Sequence, residues 1–131
     1  LTDASGKIQI DRYSRISSQG ASIAFLDTYN HFGGWKVVFN SKNAWVQYNR
    51  VNFTKKSFKT VKVRAFSKTG SVLQIRLNNP KGPIIANIRI PQGNSWTTSK
   101  ASVRGLKTGV ENLVVSLADS NPVEADWIIF E

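Results

Sequence analysis

The chain carries one histidine, His31, no cysteine, and eight carboxylates: Asp3, Asp11, Asp27, Glu111, Asp119, Glu124, Asp126 and Glu131. Without cysteine there is no disulfide framework, no thiolate metal site and no cysteine nucleophile. One histidine excludes a multi-histidine metal centre and leaves a serine triad a single candidate base, and no serine sits in a nucleophile elbow. Hydrolysis of a glycosidic bond needs two carboxylates flanking it, about 5 to 9.5 Å apart. The eight carboxylates lie mostly at strand ends and turns, and none pairs with another by spacing. No glycine-rich loop is placed to cradle a phosphate. The expectation is a non-catalytic chain, with His31 a loop residue able to touch a ligand.

Aromatic side chains offer the other chemistry. A sugar ring presents apolar C–H faces that stack on aromatic planes and hydroxyls that need Asn, Gln, Asp or Arg partners. Trp96 follows Gly93-Asn94-Ser95 at the edge of a turn, where packing alone does not demand an indole. Tyr29, His31, Phe32, Trp35 and Phe39 cluster in a glycine-containing stretch that begins as loop and runs toward a strand. Core filling competes with this reading. It suits Trp45 and Trp127, which lie inside strand patterns, and is balanced against a binding role for Trp35 and Phe39.

The elements that must position these residues repeat with a period of two. Val61, Val63 and Ala65 alternate with Lys62 and Arg64, and Leu73, Ile75 and Leu77 with Gln74 and Arg76, as half-buried strands require. Residues 67–71 between them read as a hairpin connection. Further strands are expected over residues 7–13, 22–26, 44–51, 84–90, 96–103, 111–117 and 126–130, separated by Gly, Pro and Asn turns. About nine short strands without an amphipathic helix predict an all-β protein, a jelly-roll β-sandwich of two antiparallel sheets. With no linker, repeat or low-complexity tract, residues 1–131 are expected to form one domain.

Eighteen Lys and Arg against eight Asp and Glu give a formal charge of +10. Such a field attracts polyanions over a Debye length of ~8 to 10 Å, whether nucleic acid or acidic glycan. The cations are dispersed rather than run together, and they occupy mostly the solvent-facing alternates of strands. Single-strand nucleic-acid binders need aromatics and cations interleaved on one surface, so a nucleic-acid partner is not expected. Apolar runs fall far short of the ~20 residues that span a bilayer, so no membrane partner is expected, and any export signal is expected to have been removed or to lie in a longer polypeptide.

Ordered pieces along nearly the whole chain resemble the family 6 carbohydrate-binding modules. Ile8-Gln9-Ile10-Asp11-Arg12-Tyr13 is similar to the family's first strand, and residues 43–53, with Trp45, Tyr48, Val51 and Phe53, to its Gly-Asp-Trp-x-x-Tyr-x-x-Val-x-Phe. Val63-Arg64-Ala65, Gln74-Ile75-Arg76-Leu77, Gly82-Pro83-Ile84-Ile85-Ala86 and Ile90-Pro91 follow in the family's order. Trp96, Lys107 to Leu113, and Ala125-Asp126-Trp127-Ile128-Ile129-Phe130-Glu131 resemble its closing segments.

The resemblance implies a polysaccharide-binding sandwich, secreted or at a cell surface, acting as a monomer and covalently linked to a catalytic domain. Its sugar site would lie in the loops at one edge, with two aromatics clamping a ring and an Asn bonding it. Trp96 matches one clamp position, and Phe39, by ungapped alignment from Trp45, or Trp35 matches the other. Glu124 stands where the family has its Asn, with Asn121 nearby. The family's structural calcium would fall on Gln9, Asp11 and Asp126, Gln9 weakening the donor set because calcium wants six to eight oxygens. Family members bind xylan, β-1,3-glucan, cellulose or agarose. The basic excess points to an anionic or algal galactan of the agarose or porphyran type, with neutral xylan or β-1,3-glucan as the alternative. A small jelly-roll lyase or hydrolase is the reading from another class.

Overall fold

Alternation of apolar and polar residues produces twelve strands arranged as two facing sheets in a computed structural model that describes residues 1–131, the side chain of His31 lying outside the described residues. The strands are β1 (Thr2–Asp3), β2 (Ile8–Gln9), β3 (Arg15–Ile16), β4 (Ala21–Phe25), β5 (Trp35–Phe39), β6 (Trp45–Asn52), β7 (Thr60–Phe66), β8 (Ser71–Leu77), β9 (Ile84–Ile90), β10 (Thr97–Ser102), β11 (Val110–Leu117) and β12 (Val123–Phe130). One sheet has the order β1-β6-β11-β8-β9, with β3 also on β6; the other runs β10-β7-β12-β5-β4, with β2 also on β12. The expected β-sandwich is therefore observed. Pairing is antiparallel except where the two-residue β1 runs parallel to β6.

The core is the inward phase of these strands. Val61, Val63 and Ala65 of β7 meet Leu73 and Ile75 of β8 and Leu113, Val115 and Leu117 of β11 across the layer, all fully buried. Each of the Val, Leu and Ile side chains contributes roughly 1.5–3 kcal/mol by leaving water. Phe53, Phe58 and Phe130 close one end edge-to-face, with centroids 5.2 to 6.0 Å apart.

Three local departures from the sequence reading matter for the site. The strand expected over residues 7–13 shrinks to β2, because Arg12 N donates to Gln9 O at 3.1 Å and turns the chain. Residues 35–39 form a full strand, hairpinned to β4 through the connection holding a 3₁₀ turn at His31–Gly33. Finally, β12 carries a bulge between Ala125 and Trp127 in its pairing with β7. At that same point its other neighbour changes from β5, which pairs through Ala125, to β2, which pairs from Trp127. Asp126 occupies the resulting gap. A bulge re-aims the side chain it adds, and here that side chain is a buried carboxylate, 8% exposed.

Candidate functional site

Trp96 immediately precedes β10, whose Thr97 pairs with Ala65 of β7. Since Ala65 faces the core, the residue before Thr97 falls in the outward phase beside Phe66. The two rings lie 6.1 Å apart, tilted by 41°, and both are half-buried. The indole thus stands at the rim of the sandwich rather than inside it, as its turn context predicts.

Three loops meet beside this pair, and the buried Ser67 ties them together. Its hydroxyl donates to Pro122 O at 2.7 Å, and its carbonyl accepts from Gly93 N at 3.0 Å. Phe66, Ser67, Lys68 and Thr69, together with Val38, Pro122 and Glu124, line a pocket of about 330 Å³. Glu124, in the place of the family's Asn, forms an ion pair with Lys36. Its negative charge is offset locally, so an anionic ligand at Lys68 does not meet a bare carboxylate.

The second clamp aromatic is not where the alignment places it. Phe39 is fully buried, and its predicted stacking role is corrected: β5 alternates, so Val38 faces outward into the pocket while Phe39 fills the core. Trp35 lies three residues away along β5, ~10 Å, stacked on Phe25 with centroids 4.1 Å apart. It borders a different pocket. Tyr29 is 98% exposed in the β4–β5 connection, beyond Trp35. His31 belongs to the same connection, its side chain outside the described residues. Asn121 lines a neighbouring pocket of about 440 Å³ with Arg89, Gln92 and Asp119, on the far side of Pro122. Glu124 therefore lines the pocket that adjoins the Trp96–Phe66 pair, whereas Phe39, Trp35, Tyr29 and Asn121 do not.

Some contributors were missed by the sequence reading. Phe66 shares its phase on β7 with Lys62 and Arg64, a signal that it faces solvent. Trp45 and Trp127, read as core, are half-buried on outward faces. Arg15 lies over Trp45 at 5.7 Å and Lys7 over Trp127 at 4.8 Å. Trp45 lines a surface pocket of about 330 Å³ with Asn43, Arg76, Pro80, Lys81 and Ser116.

Gln9, Asp11 and Asp126 do border one pocket, of about 340 Å³, together with Arg12, Phe32, Gly33, Gly34 and Trp35. The side chains supply two carboxylates and one amide of the six to eight oxygens that calcium takes, so backbone carbonyls would have to complete the set, and Oδ2 of Asp126 also accepts from Arg64 at 2.7 Å. Among the described residues no three His, Cys, Asp or Glu side chains gather as a metal site would require.

Several of the carboxylates are engaged by cations or hydroxyls. A general acid needs its proton affinity raised by burial or a like charge. Here hydrogen bonds from Lys55 and Ser5 push Asp3 down to about 2, and a hydrogen bond from Lys62 lowers Glu131. Asp126 is tied to Arg64 and Asp119 accepts from Ser71.

Residues 13–131 match the family described as carbohydrate binding module (family 6). The chain is 28% identical over 126 residues, 92% of its own length, to endo-1,4-beta-xylanase A of Thermoclostridium stercorarium, spanning 19% of that enzyme. Among solved structures it resembles a β-1,3-glucan binding module of this family from Bacillus halodurans, with a TM-score of 0.88 and 23% identity over 100% of this chain and 98% of that one. A module of the family from Clostridium stercorarium, in complex with cellobiose, gives a TM-score of 0.87 and 22% identity over 100% and 96%. No helix among the described residues is long and apolar enough to cross a membrane. The chain belongs to the family 6 carbohydrate-binding modules, a non-catalytic unit that binds polysaccharide.

Proposed function

We propose that residues 1–131 act as one secreted or cell-surface targeting unit, a monomer, that holds an attached glycoside hydrolase against an anionic or algal galactan of the agarose or porphyran type. One observation carries the reading: the outward Trp96–Phe66 pair beside a pocket that holds Lys68 and a carboxylate offset by Lys36. The indole supplies a stacking face for a pyranose, Glu124 accepts from hydroxyls, and Lys68 attracts sulfate or carboxylate within the field of a +10 chain. Attachment to a hydrolase is supported by the xylanase relative, of which this chain matches only 19%. The reading does not depend on calcium.

A neutral glycan is the second reading. It is favoured by the single aromatic wall, Val38 standing where a second ring would close a clamp, and by the cellobiose and β-1,3-glucan named for the two similar structures. Affinity electrophoresis through agarose, porphyran, xylan and β-1,3-glucan at two salt concentrations separates the two. The galactan reading expects retardation by porphyran that weakens with salt, whereas retardation only by xylan or β-1,3-glucan, insensitive to salt, selects the neutral one.

A further inference from the structure

An indole serves as a stacking platform only if its plane is held where a ligand needs it, and the backbone around Trp96 does little of that holding. Asn94, Ser95 and Thr97 are all exposed. The main chain is tied at Gly93, whose N donates to Ser67 O at 3.0 Å, and again at Thr97, opposite Ala65 of β7. The orientation of the ring therefore comes from the side chains it meets. These are Arg64 and Phe66, alternate outward residues of β7 that stand about 7 Å apart, a spacing that an indole can bridge. Phe66 lies 6.1 Å away, tilted by 41°, and the Arg64 Cζ lies over the ring, 4.8 Å from its centre.

A loose arginine would orient a ring poorly, because its long side chain samples many rotamers. Arg64 is anchored. Its Nη1 donates to Asp126 Oδ2 at 2.7 Å, and Asp126 is fixed in turn by the bulge of β12, with its side chain only 12% exposed. A planar guanidinium held at one edge by a carboxylate can lie against an indole with its face. The contact also assigns the two sides of the ring. With the guanidinium on one, the other is left for the C–H face of a pyranose.

We propose that Arg64 is a positioning residue for Trp96: anchored on Asp126, it holds the indole in its binding orientation before the polysaccharide arrives and touches no sugar itself. The proposal rests on the reading that Trp96 binds glycan. Its effect on affinity is one of preorganisation. When only a fraction of the free molecules has the ring in place, apparent affinity falls by that fraction. A cation over a half-exposed ring shifts such a balance roughly three- to tenfold, and losing it should weaken binding by the same factor.

The test uses Arg64→Gln, which keeps a donor for Asp126 but puts no cation over the ring, and Arg64→Lys, which restores a cation. Both are compared with wild type, Trp96→Ala and the Arg64→Gln/Trp96→Ala double variant by affinity electrophoresis through agarose, porphyran, xylan and β-1,3-glucan. On the glycan that retards wild type most, Arg64→Gln should bind roughly three- to tenfold more weakly, and Arg64→Lys should lie nearer wild type than Arg64→Gln. In the Trp96→Ala background, Arg64→Gln should cost nothing further. The indole N–H resonance of Trp96, identified as the one absent from Trp96→Ala, should move in ligand-free Arg64→Gln while those of Trp35 and Trp45 stay in place. Wild-type affinity in Arg64→Gln overturns the proposal. So does an equal loss with and without Trp96, or a loss with the Trp96 resonance unmoved, either of which makes Arg64 a direct contact or a general structural support. Failure of the underlying reading shows separately, as Trp96→Ala binding like wild type.

Discussion

Arg64 Nη1 donates to Asp126 Oδ2 at 2.7 Å, joining the outward face of β7 to the one bulged carboxylate of β12. The Asp126 side chain is 12% exposed and the Arg64 side chain 33%. Removing the guanidinium leaves a nearly buried charge without its partner. Breaking a fully buried pair costs ~3–5 kcal/mol, and the partial exposure of Arg64 reduces this to about 2 kcal/mol for Arg64→Ala. Combining Arg64→Ala with Asp126→Asn should cost less than the two single changes summed, because neither leaves an ion stranded when both are made. Chemical denaturation of the four proteins measures the coupling.

Ser67 gives a second expectation. Its hydroxyl is the link between the β7–β8 and β11–β12 connections. Ser67→Ala leaves Pro122 O without that donor, at a cost of ~1–2 kcal/mol. It should also weaken glycan affinity, since the loops that line the pocket beside Phe66 and Trp96 lose a tie, whereas Ser67→Thr should retain both. Melting temperature and affinity are the readouts.

Acid response follows from Asp3 and Glu131. Both release their protons more readily in the folded chain than in the unfolded one, Asp3 down to about 2. The folded state therefore binds fewer protons, and these groups stabilise it fully above pH ~4.5, losing that contribution as the pH falls toward ~2. Melting temperature between pH 6 and 2 should decline across this interval, less steeply in Asp3→Asn. An Asp3→Asn profile that matches wild type contradicts the assignment.

The sandwich and the Trp96 rim were legible because a period of two is a local property, visible in residues 59–66 and 72–77 without any knowledge of partners. The turn glycine and asparagine before Trp96 fixed its exposure in the same way. The second aromatic was not legible. A single-residue change of phase sends Phe39 to the core and Val38 to the pocket, and no local pattern in residues 34–40 sets that phase. It follows from the pairing of β5 with β12, Val123 opposite Phe39, which joins segments more than eighty positions apart. The gap at Asp126 escaped for the same reason, being made by one strand changing neighbours. Trp45 and Trp127 were misread because an indole in a strand pattern can face either way, and here each lies under a cation on the outer face.

Calorimetry of the wild-type chain and Trp96→Ala against the polysaccharide that retains it tests the central claim most directly. Losing one stacking indole should weaken binding by ~10- to 100-fold, with the melting temperature little changed because the ring is only half-buried. Equal affinity in the two proteins would contradict the placement of the sugar site beside Phe66 at the sandwich rim.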